Sequence, residues 1–234
     1  MVGNCVPGVL AIIWTIFEGK QHFRRILSSL ANWRVLPRWY FLAIVLPCGV
    51  YLVALDVVLL LFPEQHTFPL VREFFKNLLL NLPFAPLWEE IAWRAYALRK
   101  LETRYSRFAS ALFLGIYWTV WHVPLWLLTS FVDQHNMIPV LSAAIINVVA
   151  WSFIFSFLYG RSSRSLPVVI LLHAIYAAAS SQAYAVIANR GLYLVVISAI
   201  FSVFIAIALA GRLRSDSSGF EAPSSKQESA VPSN

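Results

Sequence analysis

The sequence predicts an all-α protein, a polytopic bundle of about seven transmembrane helices. Only 12% of the 234 residues are charged, about half the share found in soluble proteins, whereas 59% are hydrophobic. Apolar runs of about 20 residues, the length that crosses a bilayer as a helix, recur between short basic segments. Composition therefore excludes a soluble enzyme, a disordered regulator and a disulfide-stapled secreted domain.

The predicted spans differ in how well they avoid charge. The run at 39–62 holds a single acidic residue, and the run at 2–17 is uncharged but short. The run at 74–98 is interrupted by two prolines before it reaches two glutamates and an arginine. We count it as a span because membrane proteins tolerate charges and helix breaks that face protein or a wet cavity. The remaining four runs have no Asp, Glu, Lys or Arg and cover 108–131, 139–159, 165–189 and 191–210.

The basic residues predict a topology. With seven spans, 15 of the 18 Lys and Arg residues fall in one alternate set of loops, and Arg72, Lys76 and Arg190 fall in the other. Short loops rich in Lys and Arg stay in the cytoplasm. We therefore expect an integral protein of the plasma membrane with an external N-terminus, an external loop at 133–136 and a cytoplasmic C-terminus.

The chain divides into a membrane domain, residues 1–214, and a tail. Within the domain, 19–38 has basic residues with apolar ones at near-helical spacing, which favours a helix at the interface among anionic lipid head groups. The spacing by itself does not support a dedicated lipid or partner site there. Residues 215–234 contain seven Ser and mixed charge, so we expect a disordered cytoplasmic tail.

Ionisable residues at membrane depth are the candidates for chemistry, because placing them there costs free energy. At a rise of about 1.5 Å per residue, Glu89 and His173 lie about 15 and about 13 Å from the basic ends of their helices. His122 lies about 22 Å from the basic end of its own helix by the same rise. Three helices thus bring ionisable groups to similar middle depths, which predicts one shared site.

The two adjacent glutamates are predicted to differ in role, since neighbours on an α-helix point about 100° apart. Glu90 precedes Arg94 by four residues, the order in which an acid and a base pair along a helix. That pairing leaves Glu89 without a local cation and makes it the candidate general base. Histidines beside a carboxylate can activate water or bind a catalytic metal. The alternative is a structural polar cluster that holds three helices together.

Three segments resemble the motifs of the CAAX protease and bacteriocin-processing family, also called the CPBP or ABI family. The run EEIAWR at 89–94 matches its EExxxR motif, and WTVWH at 118–122 is similar to FxxxH with Trp in place of Phe. The run HAIYA at 173–177 resembles HxxxN, with Ala at the last position. The resemblance spans about 7–210 and implies a CAAX-protease-like bundle that acts as an intramembrane endopeptidase. Members usually already have a span before the first one here, so we expect a truncated or divergent N-terminus.

The resemblance implies a role for each motif residue. Glu89 is the base that activates the attacking water, and His122 helps to position that water. Glu90 and Arg94 support the site. His173 stabilises the oxyanion of the tetrahedral intermediate.

The last motif departs from the family pattern at Ala177, where an Asn usually assists the oxyanion. Because one such donor contributes roughly 2.7–4 kcal/mol, the departure lowers activity unless another group substitutes. Asn147 and Tyr176 are the candidate substitutes.

The resemblance leaves the cofactor and the class of function open. Glu89, His122 and His173 could hold Zn²⁺ with an open position, and metal-free glutamate catalysis is the alternative.

The expected substrate is a membrane-embedded peptide or a lipidated protein, CAAX-like in kind, and no nucleic-acid partner is expected. Two other functions stay open. One is a non-catalytic membrane scaffold or bacteriocin-immunity protein, and the other is a small proton-linked transporter.

Overall fold

A computed structural model of the chain confirms the all-α class. It describes residues 5–63, 71–128, 137–186 and 190–215, and within them every regular element is helical. Five of these helices are long and apolar enough to cross a membrane. In chain order the elements are α1 (Val6–Glu18), α2 (Lys20–Ala31), α3 (Pro37–Leu61), α4 (Val71–Asn81), α5 (Ala85–Glu90), a π-helical segment (Ile91–Leu98), α6 (Arg99–Glu102), α7 (Arg107–Leu128), α8 (Met137–Arg161), α9 (Leu166–Val186) and α10 (Gly191–Ser215).

Two of the seven predicted spans are not single long helices in the structure. The span predicted at 2–17 appears as α1, whose 13 residues rise about 20 Å, less than the roughly 30 Å of bilayer hydrocarbon. The span predicted at 74–98 is broken into α4, α5 and the π-helical segment. Pro83 and Pro86, which lack a backbone N–H, separate α4 from the body of α5. The other five predicted runs correspond to α3 and to α7 through α10.

The predicted surface segments are described in part. A helix is present within 19–38 as α2, and its place at the membrane surface stays a prediction. The loop predicted to be external, 133–136, and residues 216–234 of the predicted tail lie outside the described residues.

The core of the bundle lies around α8. This helix packs against α7 and α10, while α9 packs against α3. Large apolar side chains on outer faces are strongly exposed, as shown by Phe17 at 82% and Leu60 at 80%. An apolar exterior around a packed interior suits lipid rather than water. The fully buried apolar side chains of α8 include Trp151, Ile154, Phe155 and Leu158.

A glycine contact sets α1 directly on the segment that carries the two glutamates. A Cβ atom added at Gly8 would lie 2.5 Å from the backbone carbonyl oxygen of Trp88, the residue before Glu89. Because the neighbouring atom belongs to the backbone, it cannot move aside as a flexible side chain could. Small residues let membrane helices approach in this way, so Gly8 determines how closely α1 supports α5.

We expect Gly8→Ala to lower the melting temperature of the purified protein in detergent. Overpacking of this kind costs about 1–3 kcal/mol. Gly49→Ala in α3 is the matched control, because a Cβ added there meets no neighbouring atom within 4 Å. A Gly8→Ala protein that melts at or above the temperature of Gly49→Ala would contradict the contact.

Candidate active site

The residues singled out in the three motifs meet at one cavity of about 1260 Å³, here called the central cavity. Glu89 from α5, His122 from α7 and His173 from α9 all line it. Glu90 and Arg94 are fully buried behind its wall. The aromatic residues that line the central cavity are Tyr51, Trp93, Tyr117, Trp118, Trp121, Trp126, Tyr176 and Tyr184.

Glu89 is buried, 2% exposed, and its carboxylate is held by two indole groups. Its Oε2 atom accepts hydrogen bonds from Trp93 Nε1 at 3.3 Å and from Trp118 Nε1 at 3.1 Å. Arg94, the nearest base along the chain, is paired with Glu90. Two fixed donors on one oxygen orient the carboxylate and leave its other oxygen for a ligand in the central cavity.

Glu90 joins the π-helical segment to α9. Its Oε1 atom accepts hydrogen bonds from Arg94 Nη1 at 3.0 Å and from His173 Nδ1 at 2.8 Å. The pair with Arg94 is the one that the spacing predicts, whereas the bond to His173 is not evident from the sequence. The guanidinium of Arg94 lies over the rings of Trp118 and Phe155, at 4.6 and 4.3 Å from their centroids. These cation–π contacts compensate part of the cost of burying the charge.

The bond to Glu90 determines what His173 can do. A carboxylate accepts hydrogen bonds, so Nδ1 of His173 carries a proton and Nε2 is left for the central cavity. In the imidazolium form Nε2 is a donor, and the Glu90 carboxylate stabilises that form. In the neutral form Nε2 is an acceptor or a ligand.

His122 is half-buried, and its anchor is an uncharged acceptor rather than a carboxylate. Its Nδ1 atom lies 2.8 Å from the backbone carbonyl oxygen of Trp118, one turn earlier on α7. Since a carbonyl oxygen can only accept, Nδ1 donates to it, and in the neutral ring Nε2 keeps its lone pair. His122 can therefore accept a hydrogen bond from water in the central cavity.

The backbone after the glutamates is π-helical, which no sequence signal indicates. Residues Ile91–Leu98 follow Glu90 directly and form i→i+5 turns, a rare conformation that occurs frequently at functional sites. Trp93 and Arg94, both in this segment, lie four residues after Glu89 and Glu90. Each carboxylate therefore accepts a hydrogen bond from the side chain four residues later in the chain.

Sequence reasoning missed both indole donors to Glu89, Trp93 from the same helical stretch and Trp118 from another helix. Trp118 stands at the first position of the second motif, and the structure shows its indole N–H bound to Glu89 from another helix. The sequence feature that could have indicated Trp118 as a residue of the site is its position one turn before His122, on the same face of α7.

The two candidate substitutes for the missing Asn both line the central cavity, as does Ala177. Asn147 is 3% exposed, and its amide nitrogen lies 3.5 Å from the hydroxyl of Tyr51. Its amide oxygen has no hydrogen-bond partner among the described residues. Tyr176 packs against Trp151, with ring centroids 4.8 Å apart. The wall near Ala177 is therefore polar on the α8 side.

The predicted zinc ligands line one cavity but do not converge. Across the described ranges, no three side chains of His, Cys, Asp or Glu form a group that could hold a metal ion. One oxygen of Glu89 accepts two indole N–H groups, and Nδ1 of His173 is bound to Glu90. The atoms left open at these residues, one oxygen of Glu89 and Nε2 of each histidine, are of the kinds that bind Zn²⁺. The zinc site at Glu89, His122 and His173 therefore stays a prediction, and no step of the reaction proposed for this chain uses a metal.

Comparison with known proteins finds a family model that matches the region holding the motifs. Residues 72–179 match the family model for type II CAAX prenyl endopeptidase Rce1-like proteins. A curated relative, CAAX prenyl protease 2 from Methanococcus maripaludis, is 27% identical over 106 residues. That alignment covers 42% of this chain and 38% of the relative, so the chain spans less than two fifths of the relative's length. The region matched by the family model, residues 72–179, holds all three motifs.

We expect Arg94→Met to destabilise the protein by about 3 kcal/mol, because it leaves Glu90 as a buried charge without its guanidinium partner. Lys76→Met is the matched control, since Lys76 pairs with Glu73 at 3.2 Å on an exposed face and should contribute little. Chemical unfolding in detergent micelles measures both.

The double variant Glu90→Gln, Arg94→Met provides the check. Removing both charges should restore much of the lost stability, because no uncompensated carboxylate remains. A double variant no more stable than Arg94→Met would show that the ion pair between Glu90 and Arg94 does not stabilise the protein.

Proposed function

We propose that this chain, whose residues 72–179 belong to the CAAX protease family, is an endopeptidase that hydrolyses a peptide bond within the membrane. The observation that carries the proposal is the arrangement of Glu89, His122 and His173 around the central cavity. An oriented carboxylate, an imidazole with a free lone pair and an imidazole backed by a second carboxylate are the groups that peptide hydrolysis needs.

In the proposed reaction Glu89 is the general base. Its carboxylate takes a proton from a water in the central cavity, and the oxygen of that water attacks the carbonyl carbon of the substrate. The unprotonated Nε2 of His122 accepts a hydrogen bond from the other O–H of the water, which keeps that hydrogen, and so aligns the water for attack. The two indole donors hold the carboxylate of Glu89 still during this step.

His173 supports the charge that develops on the substrate. In its imidazolium form it donates from Nε2 to the oxyanion, and Glu90 stabilises the imidazolium through Nδ1. When the intermediate collapses, the C–N bond breaks and protonated Glu89 gives its proton to the leaving nitrogen. The products are a carboxylic acid and an amine, and Glu89 returns to the carboxylate.

The shape of the central cavity supports a substrate that arrives through lipid. Three residues of α7 line the cavity and are also more than half exposed: Tyr117 at 62%, Val120 at 62% and Leu125 at 51%. The mouth therefore lies along an outer face of the bundle, where a bilayer would present acyl chains. The curated relative's name states a CAAX prenyl substrate, and we propose the same class here, a membrane-associated protein with a lipidated end.

We expect Glu89→Gln to reduce kcat on a prenylated CAAX peptide by at least about 10³-fold while the protein still folds, since general base catalysis contributes roughly that much. The amide has the same shape and can still accept the indole hydrogen bonds. Glu73→Gln in α4 is the control, because Glu73 lies on an exposed face away from the central cavity. Cleavage is measured in proteoliposomes by mass spectrometry.

Equal activity of Glu89→Gln and the unaltered protein would overturn the proposed mechanism. The same assay distinguishes the two types of catalysis. Activity that survives a zinc chelator supports the glutamate mechanism. Activity that is lost with the chelator and restored by Zn²⁺ would replace it with a metal-dependent one.

We expect Ala177→Asn to raise kcat about tenfold with little change in KM. Ala177 lies one turn beyond His173 on α9, so an Asn amide there would donate to the same oxyanion, mainly in the transition state. Single-turnover rates measure the effect.

Asn147→Ala is the companion variant for Ala177→Asn. If Asn147 already supplies the missing donor, its removal should lower kcat, and Ala177→Asn should then restore it. An unchanged or lower rate in Ala177→Asn, in both backgrounds, would show that the missing Asn is not an oxyanion defect.

Ala177 is also the observation that favours the second candidate function, a non-catalytic membrane scaffold or immunity protein of the same family. Such a protein would keep the Glu90–Arg94–His173 network for stability and would cleave nothing. Screening a library of membrane peptides separates the two functions. Cleavage that depends on Glu89 supports the enzyme, whereas no cleavage of any peptide supports the scaffold.

A further inference from the structure

A second cavity, of about 440 Å³, lies where α2, α3 and the α8–α9 connection meet, apart from the central cavity. Three arginines line it: Arg34 and Arg38 from the start of α3 and the segment before it, and Arg161 from the end of α8. Asn32 and Ser163 complete its polar lining. We call this cavity the arginine pocket.

Hydrogen bonds between distant parts of the chain hold the walls of the arginine pocket together. The side chain of Asn32 donates to the carbonyl oxygen of Ser163 at 2.9 Å, and Ser165 Oγ donates to the carbonyl oxygen of Asn32 at 2.6 Å. One turn earlier on α2, Ser29 contacts the hydroxyl of Tyr159 at 2.8 Å. The pocket is therefore a built feature of the fold.

Two of the arginines, Arg34 and Arg38, bring charge that the described residues do not neutralise. In the part of the chain that the structure describes, no acidic residue lines the pocket. Among the described residues, Arg34 and Arg38 form no ion pair, and each guanidinium instead lies over an indole, Trp33 at 4.8 Å and Trp39 at 4.7 Å. Stacking holds a guanidinium in place and leaves the N–H groups at the edge of its plane free to donate. Two of these N–H groups can donate parallel hydrogen bonds to one oxyanion group. The chemistry that fits is a phosphate group.

We propose that the arginine pocket binds the phosphate of an anionic phospholipid head group. Apolar side chains at its rim favour a lipid over a soluble phosphate, because Trp33, Leu36 and Phe41 are 59, 57 and 63% exposed beside the arginines. An acyl chain would cover these side chains while the head group lies between the guanidinium groups. The pocket also lies at the end of the bundle that the positive charges assign to the anionic cytoplasmic leaflet.

Native mass spectrometry of the whole protein in detergent tests this site without reference to catalysis. Phosphatidylglycerol and phosphatidylcholine are titrated separately onto the unaltered protein and onto Arg34→Gln, Arg38→Gln, Arg161→Gln combined. We expect the unaltered protein to prefer phosphatidylglycerol. The triple variant should bind it about 100-fold more weakly, at roughly fivefold for each arginine near an anionic lipid.

A second triple variant, Arg24→Gln, Arg25→Gln, Arg104→Gln, is the matched control. It removes the same charge from exposed positions outside the arginine pocket. It should retain the preference for phosphatidylglycerol, and Arg38→Lys should bind with intermediate strength, because a lysine keeps the charge but not the fork. Melting temperatures in phosphatidylcholine nanodiscs verify that each variant is folded.

Two outcomes would overturn the proposal. Equal loss of binding in the two triple variants would mean that diffuse charge, and not the arginine pocket, attracts the lipid. Displacement of phosphatidylglycerol by millimolar inorganic phosphate would mean that the pocket is a site for soluble anions. Since neither result depends on cleavage, the site and the proposed protease function can fail independently.

Discussion

The carboxylate of Glu90 is the group on which the interior of this protein depends. A buried carboxylate is costly unless it is paired and hydrogen-bonded, and Glu90 is fully buried. One of its oxygens accepts from Arg94 and from His173, and Arg94 in turn lies between rings of α7 and α8. A single charge thereby fixes how the π-helical segment, α7, α8 and α9 meet.

The neighbouring carboxylate of Glu89 has a different environment for a geometric reason. Adjacent residues on a helix point in different directions, so one carboxylate is directed into the packed interior while the other lines the central cavity. Glu90 is paired with the Arg94 cation, whereas Glu89 is held by indole N–H groups that carry no charge. The bundle thus separates a carboxylate that stabilises the fold from one that is available to a ligand.

Polar contacts also form at the ends of the bundle, apart from the central cavity. At the ends of α2 and α8, Asn32, Ser163 and the arginines form bonds and a pocket that solvent or lipid head groups can reach. Along the bundle, α1 is placed by close backbone approach, as at Gly8 against α5. Three kinds of feature therefore characterise the bundle: buried charge at its centre, close steric fit along its length and exposed cations at one end.

The sequence by itself determined the all-α membrane class and the pairing of Glu90 with Arg94, because both depend on local composition and helical spacing. It also indicated that Glu89, His122 and His173 lie at similar depths. Only the tertiary structure decided their partners: Trp118 reaches Glu89 across 29 residues, and His173 reaches Glu90 across 83. The π-helical segment was likewise not evident, although the two prolines of the 74–98 run indicated a break in that span. These features depend on which helix faces pack together, and that is set by contacts between distant parts of the chain rather than by the periodicity of any one helix.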